Sequence, residues 1–288
     1  MNPIFLAALW MSGAIVSFST MAISGRIVAA ELDTFEVMMY RSFVGLLIIC
    51  ILTTATGNWK AITTQNLGTH ALRNIFHFIG QNLWFFALGL MPLAQLFALE
   101  FTTPIWVLLL SPLLLRSPLR PIALLAAVIA FIGILIVARP GSAPLGLGFI
   151  IAASCAIFFA LTFIFTKRLT QSHSTVCILF YLTLMQAGFG VIAAGYDLNI
   201  TRPSATMLPY VILIGLAGLL AHFCITNALK IAPASVVAPF DFVRLPVIAV
   251  VGAMFFSEPL DIYVLFGAVL IFLGNYLNIL SETRKTSE

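Results

Sequence analysis

Residues 87–100 read Ala-Leu-Gly-Leu-Met-Pro-Leu-Ala-Gln-Leu-Phe-Ala-Leu-Glu, and residues 228–241 read Ala-Leu-Lys-Ile-Ala-Pro-Ala-Ser-Val-Val-Ala-Pro-Phe-Asp. Ala87-Leu88 and Ala228-Leu229, Pro92 and Pro233, and Glu100 and Asp241 are each separated by 141 residues. The same offset carries Pro118 onto Pro259 and Phe131-Ile132-Gly133 onto Phe272-Leu273-Gly274. The chain reads as one unit written twice. Each copy holds five apolar segments, and an odd number inserts the second copy upside down relative to the first. Inverted repeats place one site near the bilayer midplane and expose it to each side in turn. Transport is therefore the leading reading before any motif is named.

Composition agrees. Hydrophobic residues make up 61% of the chain and charged residues 8%, and the mean hydropathy is +1.11. A soluble domain carries about 25% charged residues to wet its surface, so this chain belongs in a membrane. The formal charge of +4 comes from few residues, mostly in loops, and calls for no nucleic acid. Cys50, Cys155, Cys177 and Cys224 fall in apolar segments with no zinc-type spacing, so they read as small buried hydrophobes and no metal or cofactor is expected.

A spanning helix needs about 20 mostly apolar residues. That window predicts helices near 4–24, 35–54, 70–90, 93–114, 120–138, 146–167, 175–194, 207–229, 234–256 and 260–280. The expected fold is an all-α integral membrane protein with ten transmembrane helices, as two inverted five-helix repeats around a central cavity. The repeats occupy 1–139 and 146–280, joined by a loop at 140–145, and 281–288 form a solvated tail. With both termini in the cytoplasm, the inner loops and tail hold Lys60, Arg73, Arg116, Arg120, Lys167, Arg168, Lys230, Arg284 and Lys285. The outer loops hold only Arg26, Arg139 and Arg202. That asymmetry is the positive-inside pattern.

The stretches Ala228-Leu229-Lys230, Pro233-Ala234, Pro246 and Ser257-Glu258-Pro259, closing with Gly267 and Gly274, resemble the second half of an EamA-type carrier of the drug/metabolite transporter superfamily. Ala87-Leu88, Pro92, Pro104, Ser117-Pro118 and Gly133 repeat the pattern more loosely, with Ser117 where the second copy has Glu258. The resemblance implies a ten-helix carrier in a bacterial inner membrane, usually an exporter of metabolites. Within the family the chain looks most like aromatic amino acid exporters of the YddG type. The expected partners are a small-molecule substrate and the lipid bilayer, with proton coupling and oligomeric state left open. Multidrug or other metabolite carriage on the same fold is the alternative.

Ionisable side chains inside a membrane usually face a protein interior or a wet cavity. Glu100 and Asp241 each lie eight residues past a helix-starting proline, roughly 12 Å into the helix. They read either as groups that bind a substrate amine or exchange protons, or as carboxylates at a cavity rim, with Arg244 as the partner of Asp241. On helix 3, His70, Asn74, His77, Gln81, Trp84 and Leu88 recur every three or four residues and share one face. That face lines a polar cavity or a packing seam, with His70 interfacial and His77, Gln81 and Trp84 deeper. His222, with Asn227 beside it, answers from helix 8. Trp10 and Ser17 share a face of helix 1, and Phe159 and Phe163 cluster in helix 6. Rings beside a few polar groups suit an amphipathic organic solute. The enzyme class is disfavoured, since the chain has no HExxH, GxSxG or P-loop motif.

Overall fold

A computed structural model describes residues 3–116, 119, 121–138, 146–258 and 262–286. Ser117, Pro118, Arg120, Arg139, the joint at 140–145, Pro259 and Asp261 lie outside the described residues, as do the side chains of Arg284 and Lys285.

Ten helices and no strand occur among the described residues. They are α1 (Pro3–Val28), α2 (Thr34–Thr56), α3 (Leu67–Leu88), α4 (Leu93–Leu115), α5 (Pro121–Ala138), α6 (Leu147–Leu169), α7 (Thr175–Ala194), α8 (Leu208–Ile231), α9 (Ala234–Phe256) and α10 (Ile262–Thr286). Their ends follow local chemistry. The Asp33 carboxylate accepts the Glu36 N–H at 2.8 Å while the Glu36 carboxylate accepts the Asp33 N–H at 2.9 Å, a capping box that starts α2. Gly57, at φ 66°, ends it.

Seven of these helices, α1, α2, α4, α6, α7, α8 and α9, are long and apolar enough to cross a membrane. The described apolar stretches of α5 and α10, Pro121–Val137 and Ile262–Gly274, are shorter. α3 is long enough but is not among the seven, because its polar face lowers its hydropathy. The outer surface is apolar: Val16, Leu47, Leu113, Ile192, Met254 and Phe266 are 62–79% exposed. In water that surface would aggregate; in lipid it is the required one.

Two helices are interrupted, and at matching places. α4 comprises Leu93–Glu100 and Thr103–Leu115, and α9 comprises Ala234–Val237, a 3-10 segment at Ala238–Val243, and Arg244–Phe256. From sequence, Pro104, Pro239 and Pro246 read as kinks inside continuous helices. The structure instead puts Pro104 in the first turn of the second piece of α4 and Pro239 in the first turn of the 3-10 segment, where a missing N–H costs nothing. Pro246 is likewise the third residue of the last piece of α9.

Two further expectations change. Arg73 belongs to no loop: it lies inside α3 and is 1% exposed. His70, near the start of α3, is fully buried within the protein. The backbone of α10 stays helical through Thr286, beyond the boundary expected at 280.

The helices pack chiefly across the two halves: α1 on α8, α2 on α7, α3 on α6 and α5 on α10. The last pair touches backbone to backbone. A Cβ at Gly133 would fall 2.6 Å from the Gly267 carbonyl oxygen, and one at Gly274 would fall 2.6 Å from the Ala126 carbonyl oxygen. Gly133 and Gly274, like Ala126 and Gly267, are 141 residues apart, so the contact is made twice in the same form. Close backbone approach through small residues is the usual substitute for hydrophobic driving force in lipid. Gly133→Leu should therefore lower the melting temperature in detergent, through an overpacking cost of about 1–3 kcal/mol. Gly188→Ala, where a Cβ meets nothing within 4 Å, should leave it unchanged.

Candidate functional site

The interruption of α4 turns Glu100 inward at the end of its first piece, and the 3-10 segment of α9 does the same for Asp241. Arg244 opens the next piece of α9, and its Nη2 donates to Glu100 Oε1 and to Asp241 Oδ2, each at 2.5 Å. Trp84 of α3 donates its indole N–H to the other oxygen of Glu100 at 2.7 Å. The guanidinium also lies against the rings of Phe18, Phe97 and Phe101, 4.7–5.7 Å from their centroids. This centre joins α1, α3, α4 and α9 and carries a formal charge of −1 from two carboxylates and one guanidinium. Asp241 Oδ1 and Arg244 Nε are buried without hydrogen-bond partners.

A cavity of about 50 Å³ opens beside it. Its polar walls come from His77, Gln81, Glu100, His222, Asp241 and Arg244, and its rings from Phe18, Trp84, Phe101, Phe159 and Phe163. Binding pockets for organic molecules span about 300–1,000 Å³, so this cavity is smaller than a pocket filled by such a molecule. Gln81 Nε2 is a buried donor with no partner.

Behind His77 and His222 lies a basic group. Arg73 donates from Nε to Thr166 Oγ1 at 3.1 Å and from Nη1 to Asn74 Oδ1 at 2.8 Å. Its Nη2 is 3.4 Å from His222 Nδ1. A guanidinium only donates, so His222 Nδ1 accepts. That leaves the proton on His222 Nε2, which donates to His77 Nε2 at 2.8 Å. The relay fixes both rings as neutral tautomers. Arg41 of α2 packs over Gly218, where a Cβ would fall 2.5 Å from its Nη2. Among the described residues, neither Arg41 nor Arg73 has a carboxylate within ion-pair distance. The centre on α4 and α9 is thus net acidic and the region around α2, α3 and α8 is basic.

Of the candidates read from sequence, His77, Gln81, Trp84, Glu100, Phe159, Phe163, His222 and Asp241 line one cavity. Trp10, Ser17 and Asn227 do not. Trp10 packs edge-on against Phe223 at 5.5 Å. The Ser17 hydroxyl donates to the Gly13 carbonyl in its own helix. Asn227 donates to the Phe223 carbonyl and accepts from Thr175 of α7 at 3.1 Å, one position off the cavity stripe of α8. Phe18, Phe101 and Thr103 also line the cavity, though no sequence pattern marks them, and so does Met21, which shares the helix face of Trp10 and Ser17. Arg244, seen in sequence only as the partner of Asp241, holds the whole centre.

Two polar ties stand in matching register. Arg26, at the end of α1, donates to the carbonyls of Leu88 and Met91 and pairs with Glu258. Glu258 in turn accepts the Leu93 N–H at the start of α4. Lys167, at the end of α6, donates to the carbonyls of Leu229 at 2.6 Å and Ala232 at 3.0 Å. Donor and acceptors in the second tie are each 141 residues beyond those in the first.

Residues 5–139 and, separately, residues 146–280 match the EamA-like transporter family. The chain belongs to that family. An S-adenosylmethionine uptake transporter of Rickettsia bellii is 24% identical over 280 residues, 97% of this chain and 95% of that protein. A riboflavin transporter of Brucella anthropi is 30% identical over 232 residues, 79% of this chain and 81% of its own. A riboflavin transporter of Vibrio cholerae serotype O1 is 27% identical over 97% of this chain and 94% of its own. A solved crystal structure overlays with a TM-score of 0.76 at 18% identity, covering 96% of this chain and 98% of its own. The fold is that of a multi-span membrane transporter.

Removing Arg244 leaves two buried carboxylates facing each other without compensation. Arg244→Ala should destabilise the protein by about 3–5 kcal/mol, read as a large fall in melting temperature in detergent. Arg244→Ala combined with Glu100→Gln and Asp241→Asn should recover part of that loss.

Proposed function

We propose that the chain is a secondary carrier that moves a small, ring-bearing metabolite across a bacterial inner membrane by alternating access. The observation that carries this reading is the aromatic cavity closed by the Trp84–Glu100–Arg244–Asp241 centre. Phe18, Trp84, Phe101 and Phe159 supply faces for a flat ring system. Gln81 Nε2 and Asp241 Oδ1 supply a free donor and a free acceptor to orient its polar part. The net negative charge favours a substrate with a cationic group. The relatives that span this chain are named for S-adenosylmethionine and riboflavin, both built on heteroaromatic rings. They give no support to amino acid export, so the substrate class is widened and no direction is assigned; net flux follows the gradient.

Alternating access is supported by the paired architecture. The doubled family match, the reciprocal α5–α10 contact and the Arg26 and Lys167 ties in one register are what two inverted five-helix repeats would produce. On this reading the ties sit at opposite ends of the cavity and close it from opposite sides. The contracted volume of about 50 Å³ then represents an occluded state.

Counterflow in proteoliposomes tests the substrate. Labelled S-adenosylmethionine should accumulate in vesicles preloaded with the unlabelled compound, with riboflavin and phenylalanine as parallel arms. Glu100→Gln should reduce that uptake at least tenfold, since hydrogen bonds to charged groups are worth about 1.5–3 kcal/mol. Riboflavin counterflow alone would discard the cationic preference, and counterflow of phenylalanine alone would restore the amino acid reading. The ties have a separate test. In a cysteine-free background, Met21→Cys should react severalfold faster with an impermeant maleimide when Glu258→Gln is added, from one side of the membrane only.

A further inference from the structure

We propose a zinc site at the end of the bundle where α3 begins and α7 starts, outside the transport cavity. His70 of α3, His173 in the turn between α6 and α7, and Cys177 in the first turn of α7 bring their ligand atoms within 4.8 Å of one another. All three are buried. No local spacing signals this cluster, because His70 is about a hundred residues from the other two.

The decisive observation is His70. It is fully buried, and neither ring nitrogen has a hydrogen-bond partner. An unmet buried polar atom is costly, and an imidazole normally satisfies both nitrogens. Its ring stands against His173, with centroids 4.9 Å apart at 88°. A cation bound between the two rings takes up one of these nitrogens.

His173 is already prepared as a ligand. Its Nε2 lies 3.1 Å from the Gln65 carbonyl oxygen, which only accepts, so the proton sits on Nε2 and Nδ1 carries the lone pair. A histidine that donates one N–H to a backbone carbonyl and offers the other nitrogen is the common support for a metal ligand. The Ser172 hydroxyl now donates to Nδ1 at 2.8 Å, and rotation about its own bond frees that position. Cys177 has only a long contact, 3.7 Å, from its sulfur to the Thr63 carbonyl. Two imidazoles and a thiol suit zinc, which binds nitrogen and sulfur at about 2.0–2.3 Å in tetrahedral geometry. Those bond lengths set the ligand atoms about 3.5 Å apart, so side-chain rotation of about an ångström completes the set. On binding, the thiol loses its proton to solvent, and a fourth position stays open to water. The ion would staple α3 and the 62–66 segment of the first half to α7 of the second.

The test uses the full chain with a tag free of histidine, purified in detergent, stripped with a chelator, reloaded with Zn²⁺ and desalted. About one zinc per chain should be retained, and the melting temperature should rise on loading. His70→Ala and Cys177→Ser should each weaken zinc binding at least tenfold by chelator competition, while His222→Ala leaves it unchanged. Should those variants fail to fold, Co²⁺ loading of the unaltered protein decides. A thiolate-to-cobalt charge-transfer band in the near ultraviolet supports the site. Retained metal without that band, or zinc binding indifferent to His70→Ala and Cys177→Ser, overturns it.

Discussion

Arg244 is the group on which the interior depends. A guanidinium buried to 1% exposure would be intolerable alone, and two buried carboxylates 2.5 Å from it would be intolerable without it. Each member is held in place by the need to compensate the others. The centre therefore fixes the distance between α4 and α9 where both helices are interrupted. The interruption has its own logic, because a continuous helix would direct Glu100 and Asp241 by its regular pitch alone. Breaking the ladder at Phe101–Thr102 and tightening it at Ala238–Val243 lets both carboxylates turn toward one guanidinium. Three aromatic rings around Arg244 then exclude water, which strengthens every polar contact inside.

The same argument applied to Arg41 and Arg73 gives a different answer. They are 6% and 1% exposed, with no carboxylate close by among the described residues. Arg73 is satisfied by neutral acceptors, Thr166, Asn74 and His222, and so orders the His222–His77 relay. Neutral acceptors fill the hydrogen-bond geometry of a guanidinium but leave its charge. One wall of the cavity is thus backed by uncompensated positive charge and another by net negative charge. A dipolar or charged solute would feel both.

Much of this was legible in the sequence, and the failures have physical causes. The polar stripe of α3 was visible because six residues at helical spacing cannot all face lipid. Glu100 and Asp241 were visible because the repeat register aligned them. Arg73 sits on that same stripe, one position from Asn74, yet a cation near a helix end is easily counted as a loop charge. Its partners Thr166 and His222 lie 93 and 149 residues away, beyond any local pattern. Phe18 was lost among 25 phenylalanines, since a ring against a cavity and a ring against lipid look alike in sequence. Trp10 and Ser17 sit on α1, which packs closely on α8, and Asn227 turns to Thr175 of α7, so a helix seam and a cavity wall look alike in sequence.

The repeat explains the scaffold, and the departures from it explain the content. Gly133 and Gly274, Arg26 and Lys167, and Leu88 and Leu229 make matched contacts in the two halves. Several interior groups are unpaired: Arg244 matches Thr103, His77 matches Gly218, and Trp84 matches Ile225, while Glu100 and Asp241 keep the register. Gly218 is informative here, since the space left by its missing side chain is where Arg41 lies. On the proposed carrier reading, a frame with two-fold-related halves can adopt two closures of similar energy, the ties opening at one end and re-forming at the other. A site made symmetric in the same way would offer its ligand two competing orientations. On the same reading, placing Arg244 on one wall and the histidine relay on another removes that ambiguity.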